Sequence, residues 1–208
     1  MKKKLLIIGK GHQSNLIKFD KFFTKKYQSV NCLEIRSKSS ILKQLTKDDI
    51  KNNDLIIAIG NNYLREKIVN LLESNFKKIN WATYISKSSN LKNKVKVLGG
   101  SMLMENVLIN QSVLIGNHVI INSGSIIEHD NIFEDFSSCG PGVVTGGEVY
   151  VGKKTFIGLG ARIRDKIKIK NNTIIGQASN VIKNCKANSI YLGNPAKLIK
   201  KNIKKSHF

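Results

Sequence analysis

The stretch from Ile109 to Phe133 reads INQSVL-IGNHVI-INSGSI-IEHDNI-F, and each group of six begins with a large apolar residue. The same period runs from residue 85 to residue 181. Its seventeen positions are all large and apolar except Cys139 and Thr145: Ile85, Leu91, Val97, Leu103, Ile109, Ile115, Ile121, Ile127, Phe133, Cys139, Thr145, Val151, Ile157, Ile163, Ile169, Ile175 and Val181. A hexapeptide period is the sequence signature of a parallel β-helix.

The residues around each apolar position follow the same period. The residue two places earlier is mostly small or β-branched, and Gly or Asn often comes directly after the apolar residue. Gly and Asn tolerate the positive φ that a corner can demand. A continuous α-helix does not fit, because six residues turn it by about 600°, which is not a whole number of turns. We therefore expect triangular coils of three hexapeptides with the large side chains inside.

The basic residues avoid the middle of the repeat. The chain has a formal net charge of +21, yet none of its 35 Lys and Arg residues lies between residues 97 and 152. The same window holds six acids: Glu105, Glu128, Asp130, Glu134, Asp135 and Glu148. A solenoid surface in water would carry its share of lysines, so we expect these coils to be covered by copies of the same chain. The basic flanks then provide a solvated surface and anchors for an anionic ligand, and we expect no nucleic-acid partner.

Length and composition narrow the class of protein further. A chain of 208 residues accommodates one large domain or two small ones. Three cysteines are too few for a disulfide scaffold, which favours a reducing compartment. The apolar run from Leu5 to Ile8 is too short for a signal peptide, and no run approaches the roughly 20 residues that span a bilayer. We expect a cytoplasmic protein with no membrane partner.

The first 80 residues alternate between apolar strands and helical segments. We expect strands at 3–8, 30–35 and 54–60, and helices at 14–26, 41–45 and 61–76. This alternation predicts a small parallel α/β sheet with right-handed crossovers, which binds ligands at the carboxyl ends of its strands. Those ends carry the predicted acceptor-binding residues Gly9, Gly11, His12, Arg36, Gly60, Asn61 and Arg65. The full dinucleotide fingerprint is absent, so we expect no nicotinamide cofactor.

Three segments carry a resemblance to a known family: Ala58-Ile59-Gly60-Asn61-Asn62 with Arg65, residues 122–130 (NSGSIIEHD), and Gly193-Asn194-Pro195-Ala196-Lys197. With the hexapeptide repeat they make nearly the whole chain resemble the bacterial sugar acetyltransferases with a left-handed β-helix. These enzymes modify nucleotide-linked amino sugars or sialic acid. The resemblance implies a Rossmann-like acceptor-binding domain at 1–80, a left-handed parallel β-helix at 81–192 and a C-terminal tail at 193–208.

The resemblance also implies roles for individual residues. It implies a homotrimer with acetyl-CoA between neighbouring prisms, His129 as general base and Asp130 as the acid that tunes it. Ser138, Leu159 and Gln177 are placed along the CoA channel. Basic residues of the later coils, Arg162, Lys183 and Lys197, are expected near the CoA phosphates.

The residues around His129 point to the same chemistry on their own. Because Ile127 points inward, Glu128 and His129 fall at the edge of a coil and face outward. Gly147 lies eighteen residues later, one coil above His129, where its N–H can meet a thioester oxygen. A carboxylate beside a histidine fixes its tautomer and favours the imidazolium, which suits a general base. Asn122 holds the position equivalent to Glu128 on the preceding side, and we include both in the predicted catalytic group.

The nature of the acceptor stays open. The expected reaction is direct attack of a sugar amine on acetyl-CoA without an acyl-enzyme, since no nucleophile is paired with a base. Some relatives that bind UDP-sugars carry two adjacent acids after the second strand, where this chain has Arg36 and Ser37. In the family a second His often lines the CoA channel, where this chain has Ser138. O-acetylation of sialic acid and a non-catalytic scaffold are the alternatives. No metal is expected, because His118 and His129 are eleven residues apart and no third His lies in the repeat.

Overall fold

The computed structural model describes residues 3–34 and 38–202, except the side chains of residues 38–40. The N-terminal half contains the predicted parallel sheet, with four strands in the order β2-β1-β3-β4. The strands are β1 (Lys4–Ile8), β2 (Val30–Leu33), β3 (Asn53–Ile57) and β4 (Asn80–Trp81). The helices are α1 (His12–Phe19), α2 (Lys21–Thr24), α3 (Lys38–Gln44), α4 (Lys47–Asn52) and α5 (Asn62–Asn75).

Apolar residues on both sides of this sheet are buried by helices. Leu5 and Ile7 pack with Ile17 of α1 on one side, and Ile8 packs with Ile68 of α5 on the other. Such two-sided burial explains why β1 and β3 read as continuous apolar runs. The prediction of a small parallel α/β sheet is confirmed.

Two details of the predicted helices were wrong. The helix expected at 14–26 is split into α1 and α2, because the Asp20 side chain accepts hydrogen bonds from the N–H groups of Phe22 and Phe23 and so begins a new helix. The sequence analysis also missed α4, although Thr46 and Asp49 form a capping box at its start. Both errors come from local side-chain bonds that apolar periodicity does not report.

The repeat forms a triangular parallel β-solenoid with three faces. Face one contains β5 (Tyr84–Ile85), β8 (Met102–Leu103), β11 (Ile120–Ile121), β14 (Ser138–Cys139), β17 (Phe156–Ile157), β20 (Ile174–Ile175), β22 (Ser189–Leu192) and β23 (Lys197–Lys201). Face two contains β6 (Asn90–Leu91), β9 (Leu108–Ile109), β12 (Ile126–Ile127), β15 (Val144–Thr145), β18 (Arg162–Ile163) and β21 (Asn180–Val181). Face three contains β7 (Lys96–Val97), β10 (Leu114–Ile115), β13 (Ile132–Phe133), β16 (Tyr150–Val151) and β19 (Lys168–Ile169).

The strands stack in the predicted register. Ile121 pairs with Cys139 and Ile127 pairs with Thr145, each eighteen residues further along the chain. The apolar positions of the period point inward, so that Ile121, Phe133 and Cys139 have no exposed surface. Thr145 is equally buried, and its hydroxyl accepts a hydrogen bond from the Glu128 N–H, which accounts for the one polar side chain in the column. The β-helix prediction is confirmed.

The chain turns at three corners per coil. The first corner joins face one to face two, the second joins two to three, and the third joins three to one; 122–125, 128–131 and 134–137 are one of each. The role predicted for the glycines after the apolar positions was wrong. The residues with positive φ lie three places after the apolar position, as Asp130 (56°) does after Ile127 and Phe136 (59°) does after Phe133. At Gly146 the reason is space, because a Cβ would lie 2.6 Å from the Asp165 nitrogen of the next coil.

The N-terminal half packs on face one. Tyr84, Met102 and Ile120 of that face share a buried cluster with residues of the sheet and of α1 and α2. At the third corner, the buried His118 ring stacks on Phe136 at 5.2 Å and meets Trp81 edge-on at 4.6 Å. The two halves of the chain therefore share one continuous packed surface. In the described part of the chain, no helix has the length and apolar content that a bilayer crossing requires.

Candidate active site

His129 lies at the second corner between β12 and β13. Its Nδ1 is 2.8 Å from Oδ2 of Asp130, and about half of each side chain is exposed. The hydrogen bond to Asp130 raises the pKa of His129 above its usual range, and the neighbouring carboxylates of Glu128 and Glu148 act in the same direction. With Nδ1 engaged, Nε2 is the ring nitrogen left to exchange a proton with a ligand.

The His129 ring occupies the space that a side chain on Gly147 would fill. A Cβ on Gly147 would lie 2.5 Å from Cε1 and 2.6 Å from Nε2 of His129. The predicted placement of Gly147 one coil above His129 is confirmed. Within the described residues the Gly147 N–H donates no hydrogen bond. The corner therefore places a proton acceptor beside an amide donor.

Asn131 holds this corner in shape, and the sequence analysis missed it. Its fully buried amide nitrogen donates to the carbonyl oxygens of Glu128 (2.7 Å), His129 (3.2 Å) and Gly146 (2.8 Å). It thereby ties the His129 turn to the corner that carries Gly147. The available signal was chemical, since Asn131 is the one amide in a column of small and β-branched residues.

Glu128 and Asn122 are occupied by structural contacts. Glu128 Oε2 accepts a hydrogen bond from Asn110 one coil below, and Asn122 donates from its amide to the Cys139 carbonyl at 2.8 Å. Glu128 shares the second corner with His129. Asn122 lies at the first corner, on the other side of face two.

The residues predicted to bind CoA do not lie together on one chain. Leu159 and Gln177 stack at the first corner, Arg162 points outward from face two, and Lys183 lies at the second corner above Gly147. Lys197 begins β23 on face one, and Ser138 is buried under the N-terminal half. The coil between Gly147 and Lys183 adds Arg164 and Lys166, two exposed cations that sequence reasoning did not name. Stacked at the second corner, these cations form a basic edge above His129, although Asp165 lies among them and Lys166 Nζ is 3.8 Å from Oε1 of Glu148.

Two cavities open at the carboxyl ends of the N-terminal strands. One has a volume of about 290 Å³ and is lined by Gly9, Lys10, Ser14, Asn15, Lys18, Cys32 and Glu34. The other has about 280 Å³ and is lined by Gln13, Gly60, Asn61, Ile120, Asn122, Ser138 and Phe156. The first turn of α1 separates them. The predicted Gly9, Gly60 and Asn61 are thus brought to cavity walls.

His12 and Gly11 lie at the exposed start of α1, where Gly11 is the N-cap residue, so that the helix begins two residues before the predicted start at 14. Arg36 and Ser37 lie outside the described residues, and so does His207. Gln13 and Glu34 are cavity residues that were not predicted. Gln13 follows the predicted Gly9–His12 turn by one residue, and Glu34 fell inside the strand predicted at 30–35, which ends at Leu33.

Arg65 is fully buried and its donors are used inside the protein. Nε donates to the His118 carbonyl at 2.8 Å, Nη1 to the Ile59 carbonyl at 2.7 Å, and Nη2 to Asn62 Oδ1 at 2.7 Å. Asn62 Oδ1 also accepts the Ser138 hydroxyl at 2.7 Å. Burial lowers the pKa of the guanidinium to about 9. This network fixes the Gly60 turn and Ser138, the two walls of the smaller cavity, and presents no Arg65 donor to a ligand.

The geometry also bears on Cys139 and on possible metal ligands. Cys139 faces the prism interior, and burial raises the pKa of its thiol to about 11, so it is poorly suited to act as a nucleophile. No group of three His, Cys, Asp or Glu residues that could hold a metal ion occurs in the ranges the structure describes.

No family model matches the sequence. Solved structures with the same fold include the acetyltransferase domain of PglB from Neisseria gonorrhoeae, also solved with acetyl coenzyme A (20% identity, TM-score 0.85, 95% of this chain and 100% of that chain). PerB from Caulobacter crescentus, a GDP-perosamine N-acetyltransferase solved with CoA and GDP-perosamine, is 23% identical (TM-score 0.81, 95% and 97%). WeeI from Acinetobacter baumannii is 21% identical (TM-score 0.79, 95% and 100%). Two of these neighbours are acetyltransferases, one of them a GDP-perosamine N-acetyltransferase, in line with the resemblance, and the fold is shared over nearly the whole chain.

Proposed function

We propose that this protein transfers the acetyl group of acetyl-CoA to the amino group of a nucleotide-linked amino-deoxy sugar. The observation that carries the proposal is the second corner, where the His129 ring is oriented by Asp130 and lies against Gly147. A shared fold alone does not assign an activity, whereas the placement of these groups is specific to the reaction. PglB and PerB, which share the fold, bind the same class of co-substrate.

Each residue of the corner has one task in this reaction. Nε2 of His129 accepts a proton from the sugar nitrogen as that nitrogen bonds to the acetyl carbon. Asp130 holds the ring through Nδ1 and favours the imidazolium that results. The Gly147 N–H donates to the acetyl oxygen as negative charge develops there. The C–S bond breaks, and the leaving thiolate receives the proton held by the His129 imidazolium, which returns the base to its neutral form.

Acetyl-CoA supplies the reactive thioester, and the residues above His129 fit its charged end. The absent side chain of Gly147 makes room for the ring itself, and the basic edge of Arg164, Lys166 and Lys183 begins on the next coil. Coils stack about 4.8 Å apart, so these cations extend over some 10–15 Å from the reacting atoms. Arg162 faces outward beside this edge. These cations would hold the CoA phosphates.

The acceptor is assigned to the N-terminal half, which we take as a Rossmann-like domain. The larger cavity, with Lys10, Lys18 and Glu34, suits the nucleotide, and the start of α1 between the cavities suits its phosphates. The smaller cavity suits the sugar ring. Its lining is neutral, with carboxamides from Gln13, Asn61 and Asn122 and apolar contacts from Ile120 and Phe156. Among the described residues no cation lines it to pair with an acidic sugar, which favours an amino sugar without a carboxylate over sialic acid.

Two chains are needed to complete this site. The acceptor cavities lie over face one and the first corner, whereas His129 lies at the second corner of the same chain. Ile126 and Ile132, on the faces that flank His129, are more than a third exposed, and residues 97–152 carry no Lys or Arg. A homotrimer would cover these surfaces and bring the second corner of one chain to the first corner and cavity of the next.

Acetyl transfer by the purified full-length chain tests the proposal. Acetyl-CoA is offered with UDP- and GDP-linked amino-deoxy sugars and with free and nucleotide-linked sialic acid. We expect turnover with one of the amino sugars. His129→Ala should lower kcat by about three orders of magnitude or more and leave CoA binding within about twofold, because general-base catalysis is lost while the binding contacts remain.

Turnover with sialic acid alone would replace the N-acetyltransferase assignment with O-acetylation. Unchanged turnover in His129→Ala would contradict the mechanism. Absence of CoA binding by the wild type would favour a non-catalytic scaffold.

A further inference from the structure

A patch of lysines and exposed aromatic rings lies at the end of the molecule where the solenoid begins. We call it the basal patch; it consists of Lys18, Phe19, Lys21, Phe22, Lys25, Lys26 and Lys87. Six of these residues come from α1, α2 and the turn after them, and Lys87 comes from the first coil. None of them lines the cavities of the acceptor site except Lys18.

Two phenylalanines of the patch project into solvent. Phe19 is 71% exposed and Phe22 is 49% exposed, whereas the neighbouring Phe23 is buried against Tyr84. Of the three phenylalanines in this segment, Phe23 is therefore buried in the core, and Phe19 and Phe22 remain exposed. Exposed large aromatic side chains surrounded by polar residues are typical of a surface that binds another protein or a membrane.

Lysine ammonium groups surround the two rings. Lys25 Nζ lies 4.5 Å and Lys87 Nζ 5.4 Å from the centre of the Phe22 ring, and Lys18 Nζ lies 5.6 Å from that of Phe19. The one acid within the segment is Asp20, whose oxygens accept hydrogen bonds from the α2 backbone and from the Tyr84 hydroxyl. The patch thus presents excess positive charge around apolar tips.

The first coil extends this positive charge across the end of the prism. Residues 86–96 contain Lys87, Lys92, Lys94 and Lys96 and no acid. All four lysines are exposed. A broad end surface with many cations and two projecting rings differs from a groove that holds one small ligand.

We propose that the basal patch binds the surface of an anionic lipid bilayer. The Phe19 and Phe22 rings enter the boundary between headgroups and acyl chains, and the lysines meet the headgroup phosphates, as in amphipathic interfacial segments. A lipid surface fits better than nucleic acid because the patch contains no Arg, the side chain that makes bidentate phosphate and base contacts, and because its two rings project into solvent. The expectation of no membrane partner concerned segments that enter or cross a bilayer, and binding at a bilayer surface requires neither.

Flotation of the full-length chain with lipid vesicles tests this proposal. One set of vesicles is phosphatidylcholine, and the other contains phosphatidylglycerol as about a third of the lipid, to supply the negative surface that lysines recognise. We expect binding to the anionic vesicles only, and weaker binding as salt is raised. The double variants Phe19→Ser/Phe22→Ser and Lys25→Glu/Lys26→Glu should each lower the partition coefficient by about tenfold or more.

Strand β23 offers matched controls. Leu198 and Ile199 are 51% and 54% exposed, and Lys200 and Lys201 follow them, so this strand has a similar composition at another place on the molecule. Leu198→Ser/Ile199→Ser and Lys200→Glu/Lys201→Glu make the same chemical changes and should leave vesicle binding within about twofold if location decides it. Circular dichroism and light scattering confirm that each variant keeps its fold and mass.

Three results would overturn the proposal. The first is absence of wild-type binding to anionic vesicles. The second is an equal loss in the basal and control variants, which would show a response to net charge alone. The third is equal or tighter binding of wild type to duplex DNA with the same loss in the Phe19→Ser/Phe22→Ser variant, which would assign the patch to nucleic acid. Acetyl transfer in solution is measured separately, so the outcome does not depend on the proposed enzyme activity.

Discussion

The carboxylate of Asp130 and the ring of His129 are sequence neighbours that meet because the corner has a left-handed residue. Asp130 has φ 56°, a conformation that Asp tolerates better than most residues. The turn brings Oδ2 within 2.8 Å of Nδ1, and the pKa of His129 is raised as a result. A base works in its neutral form, so the proposed activity should appear as pH rises through this pKa.

Asp130→Asn tests this coupling. The variant keeps the size of the side chain but removes the charge, so the acidic limb of kcat/KM against pH should move to lower pH and the maximal rate should fall. The measurement is the pH profile of acetyl transfer. Asp165→Asn, at the same corner two coils above His129, is the control and should leave the limb in place. An unshifted limb in Asp130→Asn would mean that another group sets the pH dependence.

The sequence predicted the placement of single residues correctly within the hexapeptide repeat. It placed Gly147 over His129, Cys139 inside the prism and Ile127 facing inward, and each placement is confirmed. It did not identify Asn131, because periodicity records size and polarity but not which carbonyl oxygens an amide will meet. The roles given to His129 and Gly147 remain predictions.

The third corner is the element that joins the two halves of the chain. Arg65 donates to the carbonyl of His118, and the His118 ring fills the space between Phe136 and Trp81. Only 2% of His118 is exposed, and in the described part of the chain its Nδ1 has no hydrogen-bond partner. Burial and the nearby Arg65 lower the pKa of His118 to about 3.

This corner should make the fold sensitive to acid. Between the unfolded pKa near 6.5 and the folded value of about 3, the unfolded chain binds a proton at His118 that the folded chain does not, so stability falls as pH is lowered. The slope is about 1.4 kcal/mol per pH unit in the middle of that window. His118→Phe should remove this contribution. Phe136 shows that the equivalent corner position, also at positive φ, accepts a phenylalanine.

Chemical denaturation at several pH values between 4 and 7, followed by circular dichroism, measures the effect. His12→Gln, which removes an exposed histidine, is the control and should retain the acid sensitivity of the wild type. If the free energy of unfolding of His118→Phe falls with pH as steeply as that of the wild type, groups other than His118 cause the acid sensitivity.

At the scale of elements, long periodic segments were predictable and short capped ones were not. The solenoid strands and α5 agree with the apolar period. The break between α1 and α2 depends on two hydrogen bonds to Asp20, and α4 depends on the reciprocal bonds of Thr46 and Asp49. These side-chain hydrogen bonds depend on the local backbone conformation, which the apolar period does not specify.

The whole molecule separates the acceptor cavities from the proposed base by the width of a prism face. Mixed assemblies test whether neighbouring chains complete the site. His129→Ala removes the base, and Gly60→Leu fills the smaller cavity from a position where a Cβ meets nothing closer than 3.9 Å. Each variant alone should be inactive. Co-expressed and purified through two different tags, the mixed assembly should recover activity, since one chain supplies the cavity and its neighbour supplies His129.

The control is a mixture of the two variants, purified separately and assayed at once, before any exchange of chains. A mixed assembly that stays as inactive as its parents would place the complete site within one chain. The window without Lys or Arg predicts a covered surface, but not the number of chains in the assembly. That number depends on the angle between the contact surfaces of each chain, which a periodic sequence pattern does not encode.

The eighteen-residue stacking also limits how this molecule can change in length. Six residues added between His129 and Gly147 would move everything downstream to the next side of the triangle and leave the histidine beneath a different corner. Eighteen residues added beyond the last cation would lengthen the prism and disturb nothing below. Viable length variants should therefore differ by whole coils, that is, by multiples of eighteen residues.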